Sequence, residues 1–277
     1  MQKIILPSGE AVVALGMGTW CMGEDRSRRG EEIATLQAGF DAGLSMIDTA
    51  EMYGDGQAES LIGEALVGRR DAAFLVSKVY PHNAAPAAMA AACERSLQRL
   101  RTDRLDLYLL HWRGAVPLAQ VLEGLLALQR QGKIRHFGVS NLDTAAMREW
   151  CALAGGDAVA TNQILYNLTR RAVELDLLPF CRQQGLSLMA YSPLEQGALL
   201  KNRKLADFAR HHAITPTHAA LGWVLAQQDV FAIPKTSHRT RLQENLRALT
   251  QPLTLAQVAE LGGLFPAPAK PQPLAMI

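Results

Sequence analysis

Apolar residues along this chain follow two rhythms. Short runs of five to seven residues alternate with longer stretches in which apolar positions recur every three or four residues. The short runs are 15–20 (LGMGTW), 44–48 (LSMID), 73–79 (AFLVSKV), 105–111 (LDLYLLH), 136–141 (HFGVSN), 159–164 (VATNQI), 187–193 (SLMAYSP) and 230–236 (VFAIPKT), eight in all. Helical stretches between them include 31–43, 89–101, 118–133 and 218–228, and Gly43, Gly132 and Gly185 stand where helix C-caps are wanted. Strand–helix alternation predicts a parallel sheet with right-handed crossovers. Eight such units in about 250 residues suit a closed (β/α)8 TIM barrel of the α/β class, with a doubly wound open sheet as the competitor. Ahead of them, 4–6 and 11–14 flank Pro7-Ser8-Gly9-Glu10 and predict a short hairpin closing the barrel bottom. No linker, repeat or break in composition divides the chain, so a single domain over 1–277 is expected. The segment after Leu264 holds four prolines and cannot form regular helix or inner strand.

Composition narrows the function. Apolar residues make up 49% and charged ones 19%, enough for a large core. A net charge of +2 without long Lys or Arg runs argues against nucleic acid and against an anionic membrane surface as partners. No run of eighteen apolar residues predicts a transmembrane helix, and MQKIILPSGE lacks the apolar core of a signal peptide. Cys21, Cys93, Cys151 and Cys181 are far apart and make no zinc spacing. A cytoplasmic protein with reduced thiols is expected.

The chemistry lies at the run ends. In a (β/α)8 barrel the C-terminal strand ends share one mouth. The second run ends on Asp48, the third near Lys78, the fourth on His111 and the fifth on Ser140-Asn141. Singly, each has an ordinary structural explanation: a helix cap, a solvated lysine, a bonded histidine. Three ionisable groups on three consecutive strands, with Tyr53 close behind Asp48, need another. Tyrosine, with a pKa of about 10, is a poor acid at neutral pH. An adjacent ammonium favours phenolate, so Lys78 is expected to lower the Tyr53 pKa while Asp48 holds Lys78 by an ion pair. Tyr53 can then protonate a carbonyl oxygen that His111 orients. No side chain donates hydride, so a nicotinamide is required.

Asp48 and Tyr53 in IDTAEMYG, Lys78 in VSK and His111 in LLHW resemble the catalytic tetrad of the aldo-keto reductase family. The resemblance extends from LGMGTW to IPKTSHRTRLQEN and is strongest toward short bacterial members of the methylglyoxal reductase type. It implies NADPH-dependent reduction of aldehydes and ketones. It implies that Gly18, Thr19, Trp20 and Asp48 lie by the nicotinamide ribose, and that Ser140, Asn141 and Gln163 hold the carboxamide. Tyr191 would stack on the nicotinamide, with Ser192, Leu194, Gln196 and Gly197 over the pyrophosphate. Lys235, Thr236, Ser237, His238 and Arg241 would hold the 2′-phosphate, and Glu244 and Asn245 the adenine. The local charge of Lys235, Arg239 and Arg241 agrees with a phosphate and favours NADPH over NADH. Trp20, Tyr53, Tyr80, His111 and Trp112, with Met22 and Met52, are the candidate substrate rim.

Other readings stand beside this one. LGMGTW carries Cys21 where a dinucleotide-fold motif needs its third glycine. A metal hydrolase could enlist Asp48, Glu51 and His111, but no HxH occurs, and His211-His212 suits a surface; no metal is expected. A cofactor-sensing subunit with little turnover is the non-enzymatic alternative. The pocket loops imply small carbonyl substrates such as methylglyoxal and aromatic aldehydes, with Arg113 the only nearby candidate to grip an acid group. A monomer is expected.

Overall fold

The computed structural model describes residues Met1–Ile277. A two-stranded antiparallel hairpin, β1 (Lys3–Ile5) and β2 (Ala11–Val13), comes first. Eight parallel strands follow: β3 (Met17–Gly18), β4 (Met46–Asp48), β5 (Phe74–Val79), β6 (Leu105–Leu110), β7 (Ile134–Ser140), β8 (Thr161–Leu165), β9 (Ser187–Tyr191) and β10 (Val230–Ala232). Each pairs with its successor, so the sheet runs in sequence order. β4, β5, β6 and β8 are buried at every residue, which is why they read as continuous apolar runs rather than alternating ones.

Closure decides between barrel and open sheet. Gly16 N–H donates to Ala232 O at 2.8 Å, Ala232 N–H to Ala14 O at 2.9 Å and Gly18 N–H to Pro234 O at 3.1 Å. First and last strands therefore meet, and the doubly wound alternative falls. Gly18 is required at this seam, because a Cβ there would stand 2.8 Å from Ile233 O.

Helices α1 (Arg29–Asp41), α2 (Gln57–Ala65), α3 (Pro86–Leu100), α4 (Leu118–Arg130), α5 (Thr144–Cys151), α6 (Leu177–Gln183), α7 (Arg203–His211), α8 (Pro216–Leu225), α9 (Arg239–Thr250) and α10 (Leu255–Leu264) complete the chain. α3 shows the logic of the outer layer. Pro86 presets its first turn, and it buries Met89, Ala92, Cys93, Ser96, Leu97 and Leu100, a stripe at three- and four-residue steps. Gly43, Gly132 and Gly185 are left-handed (φ 90°, 73° and 67°) just beyond α1, α4 and α6, as the C-cap reading required. No helix is long and apolar enough to cross a membrane. The hairpin covers the N-terminal end of the barrel: Glu10 bonds Arg135 and His136, at the opposite end of β7 from Ser140.

The two runs at the seam are the most shortened relative to their patterns. The run 15–20 yields only Met17–Gly18 as strand, and 230–236 ends as strand at Ala232. Pro234 has no N–H to continue the ladder. Lys235 thus lies beyond its strand and rejoins the barrel by a single bridge to Gly18.

Candidate active site

Asp48 closes β4, and the chain turns back on itself within one short helical turn, Tyr53–Gly56. Gly54, Asp55 and Gly56 are all left-handed there, which lets the loop fold Tyr53 over the strand ends. Lys78, near the end of β5, is fully buried. Its Nζ donates to Asp48 Oδ2 at 2.7 Å, Thr49 O at 2.8 Å and Tyr53 Oη at 3.2 Å. All three ammonium hydrogens are thereby used. Because Tyr53 accepts from Lys78, its own hydroxyl proton is free to be given elsewhere. His111 follows β6 and stands edge-on to Tyr53, with ring centroids 5.9 Å apart.

Burial changes the electrostatics expected from sequence. It raises the Tyr53 phenol above its ordinary range; Lys78 pulls down, but the Asp48 charge pushes up again. The lowering by Lys78 expected from sequence is present but outweighed, and Tyr53 is a neutral phenol. Burial alone would push Lys78 down, but Asp48 and Tyr53 together outweigh it and keep an ammonium. Burial, aided by Lys78, lowers His111 to about 2, so its imidazole is neutral. His111 Nδ1 is buried without a partner.

The residues expected to hold a cofactor surround this cluster. Thr19 is buried and donates to Asp48 O at 2.9 Å, while Trp20 is 45% exposed. Ser140 Oγ donates to Gln163 O at 2.9 Å, Asn141 Nδ2 to His111 O at 3.1 Å, and Tyr191 Oη to Asn141 Oδ1 at 3.0 Å. Gln163 Nε2 donates to Asp48 Oδ1 at 2.7 Å. Ser192, Gln196 and Gly197 are left-handed, as is Glu195 between them, and Leu194 is half-buried. Asn167 Nδ2 holds this loop through Ser192 O at 3.0 Å.

Beyond β10, Lys235, Arg239 and Arg241 are exposed and Thr236 and Glu244 half-buried. His238 meets Glu31 at 2.8 Å and Ser237 Oγ meets Glu32 at 3.3 Å. Asn245 is buried and lines a small void with Leu15 and Met17. The first turn of α9 has no side-chain cap, leaving free N–H groups beside these cations. Unpaired cations, an uncapped helix start and the half-exposed Tyr191 ring fit a phosphorylated nicotinamide cofactor.

The substrate rim is partly as expected. Tyr80, His111 and Trp112 form one aromatic group, with Tyr80 and Trp112 edge-on at 5.5 Å and His111 tilted against Trp112 at 4.8 Å. Met52 is half-buried beside Tyr53. Met22 is not on the rim: it is fully buried in the core, since the left-handed Cys21 turns the chain inward. Arg113 is committed to Glu149 at 2.7 Å.

Sequence reasoning missed the part played by Glu51. It accepts from Tyr80 N–H at 2.8 Å and Asn83 Nδ2 at 3.1 Å, tying the Tyr53 loop to the Tyr80 wall. Its place inside IDTAEMYG was the available signal. No group of three or more His, Cys, Asp or Glu side chains is arranged to hold a metal ion. His211 is exposed and His212 bonds Glu260 at 2.9 Å.

A sequence model of the Aldo/keto reductase family matches residues 14–264. The chain belongs to the aldo/keto reductase family. It is an oxidoreductase that uses NADP(H) to reduce carbonyl groups. Among aldo/keto reductase relatives, it is 49% identical to methylglyoxal reductase YeaE of Escherichia coli (strain K12), over 100% of this chain and 99% of that protein. Glyoxal reductase of Bacillus subtilis (strain 168) is 35% identical over 78% of this chain and 76% of that protein. An aldo/keto reductase from Klebsiella pneumoniae, solved in complex with NADP and acetate, superposes with a TM-score of 0.96 at 45% identity, covering 99% of each chain.

Proposed function

We propose that this aldo/keto reductase reduces small aldehydes and 2-oxoaldehydes, methylglyoxal among them, and aromatic aldehydes, with Tyr53 as the proton donor. The observation that carries the reading is the saturated Lys78 ammonium, bonded at once to Asp48, Thr49 and Tyr53. NADPH supplies the hydride when bound. As the carbonyl oxygen becomes an alkoxide, Tyr53 gives it a proton, and the phenolate that forms is stabilised by Lys78. Asp48 keeps Lys78 charged and in place. The neutral His111 donates a hydrogen bond to the carbonyl oxygen, where an imidazolium would compete to deliver the proton.

For the cofactor, Ser140, Asn141 and Gln163 would hold the carboxamide and Tyr191 the ring face. Gly18, Thr19 and Trp20 would border the ribose, and the left-handed loop of Ser192, Leu194, Gln196 and Gly197 the pyrophosphate. Lys235, Thr236, Ser237, His238 and Arg241 would take the 2′-phosphate, with Glu244 and Asn245 toward the adenine. Trp20, Tyr80 and Trp112 give an apolar wall without a cation, which suits uncharged carbonyls rather than keto acids. The similarity to methylglyoxal reductase YeaE and to glyoxal reductase supports the same substrate class. A monomer acting in the cytoplasm is part of this reading, supported by the scattered exposed apolar side chains and the free thiols.

The test is loss of NADPH absorbance with methylglyoxal, an aromatic aldehyde and a keto acid. Turnover with the first two and little with the third is expected. Tight NADPH binding with no turnover on any of them would move the reading to a cofactor sensor.

A further inference from the structure

We propose that Gln163 is a positioning residue that couples the nicotinamide seat to the Tyr53 acid by bracing the second oxygen of Asp48. The inference rests on the reductase reading and adds to it. Gln163 lies within β8, 2% exposed, while Asp48 lies at the end of β4, also 2% exposed. Asp48 therefore has a separate donor on each oxygen: Lys78 Nζ on Oδ2 at 2.7 Å and Gln163 Nε2 on Oδ1 at 2.7 Å. The same amide nitrogen also faces Met189 Sδ. Ser140 Oγ and Asn141 N–H, at 2.9 and 2.8 Å, fix the Gln163 main-chain carbonyl from the end of the neighbouring β7. The side-chain amide nitrogen is thus committed to Asp48, and the amide oxygen is left to accept from a bound carboxamide.

The consequence follows from dry-site electrostatics. A carboxylate in a buried site holds its charge through its hydrogen bonds. With the Gln163 donor removed, Asp48 draws the shared Lys78 proton toward itself. Lys78 then stabilises the Tyr53 phenolate less across 3.2 Å, and Tyr53 becomes the weaker acid. Around Tyr53 stand Asp48 of β4, Lys78 of β5, His111 after β6, Tyr191 of β9 and the Cys21 thiol after β3. Of these, Asp48 and Lys78 alone are charged at neutral pH, so the brace on Asp48 acts on the pair that matters. A carboxamide seated on the Gln163 oxygen fixes the amide plane and with it the brace.

The experiment compares Gln163→Met, which keeps length without a donor, with Ser140→Ala, which loosens the seat while Asn141 N–H still holds the Gln163 main-chain carbonyl and Gln163 Nε2 still bonds Asp48. Two readouts are taken at saturating cofactor. One is the pH profile of NADP-dependent alcohol oxidation, which rises as Tyr53 ionises. The other is the Tyr53 ring-carbon NMR titration, assigned through Tyr53→Phe. In Gln163→Met both midpoints should move up by about one pH unit, a tenfold weaker acid. In Ser140→Ala the NADPH Kd should rise with the midpoints unmoved. Unmoved or lowered midpoints in Gln163→Met, with only the Kd affected, would overturn the proposal and leave Gln163 a plain cofactor contact. Should Gln163→Met not fold, Gln163→Asn withdraws the amide by one methylene and is read the same way. A wild type without turnover would sink the reductase reading, while the NMR titration would still decide the brace.

Discussion

At the scale of single residues, burial governs the chemistry more than neighbouring charge does. His111 is neutral chiefly because it is nearly dry, with the Lys78 charge adding to the effect. Its native pKa of about 2 lies far below the unfolded value of about 6.5. Between those values the unfolded chain binds a proton that the folded chain does not, so stability rises with pH and is lost as pH falls below about 6.5. The limiting contribution of this one group is ~1.4 kcal/mol per pH unit. His111→Gln should flatten the fall of Tm between pH 6.5 and pH 5, about one proton's worth, in calorimetric scans; an unchanged slope would contradict it. Tyr108 offers a contrasting case. It is fully buried on β6 and its hydroxyl has no partner. An unpaired buried hydroxyl costs about 1–3 kcal/mol, so Tyr108→Phe should raise stability by about 1 kcal/mol in urea unfolding. The four ionisable positions were legible because they fall in three motifs at or just beyond the ends of three consecutive runs. The pull of Lys78 on Tyr53 was legible, but the larger opposing effect of burial was not, because desolvation cannot be read from a linear order of residues.

At the scale of elements, close approach sets what each segment tolerates. α2 passes so near α3 that a Cβ on Gly63 would lie 2.5 Å from Arg99 O. Gly63→Ala should therefore lower Tm and cost about 1–3 kcal/mol, although alanine is the better helix former. The same helix pair carries a buried Glu59, which Ser77 Oγ and Arg99 Nε both contact at 2.6 Å, so a shift of α2 would be felt one residue from Lys78. The apolar runs gave away most strands because strands buried on both faces lose their alternation. Those meeting at the seam were overestimated. Gly18 and Pro234 end regular pairing there, and closure is made by backbone bonds between residues more than 200 positions apart, with no sequence signal. Met22 illustrates the same limit at one position: whether a loop methionine faces solvent depends on the Cys21 turn.

At the scale of the whole molecule, a net charge of +2 cannot draw an anionic cofactor from a distance. On the proposed reading, attraction comes from Lys235, Arg239 and Arg241, gathered beside the uncapped start of α9. Arg241→Ala should weaken NADPH binding about tenfold, leave NADH nearly unaffected, and reduce the salt dependence of NADPH affinity measured by fluorescence quenching. Equal losses for both cofactors would place the 2′-phosphate elsewhere. The barrel brings this cationic segment, from beyond the last strand, against the first, where Lys235 bridges Gly18. The role of Tyr53 as proton donor is measured by methylglyoxal reduction in Tyr53→Phe at saturating NADPH. The kcat should fall on the order of 10³-fold with the NADPH Kd retained. A kcat within about threefold of wild type, well inside what losing a general acid costs, would contradict it.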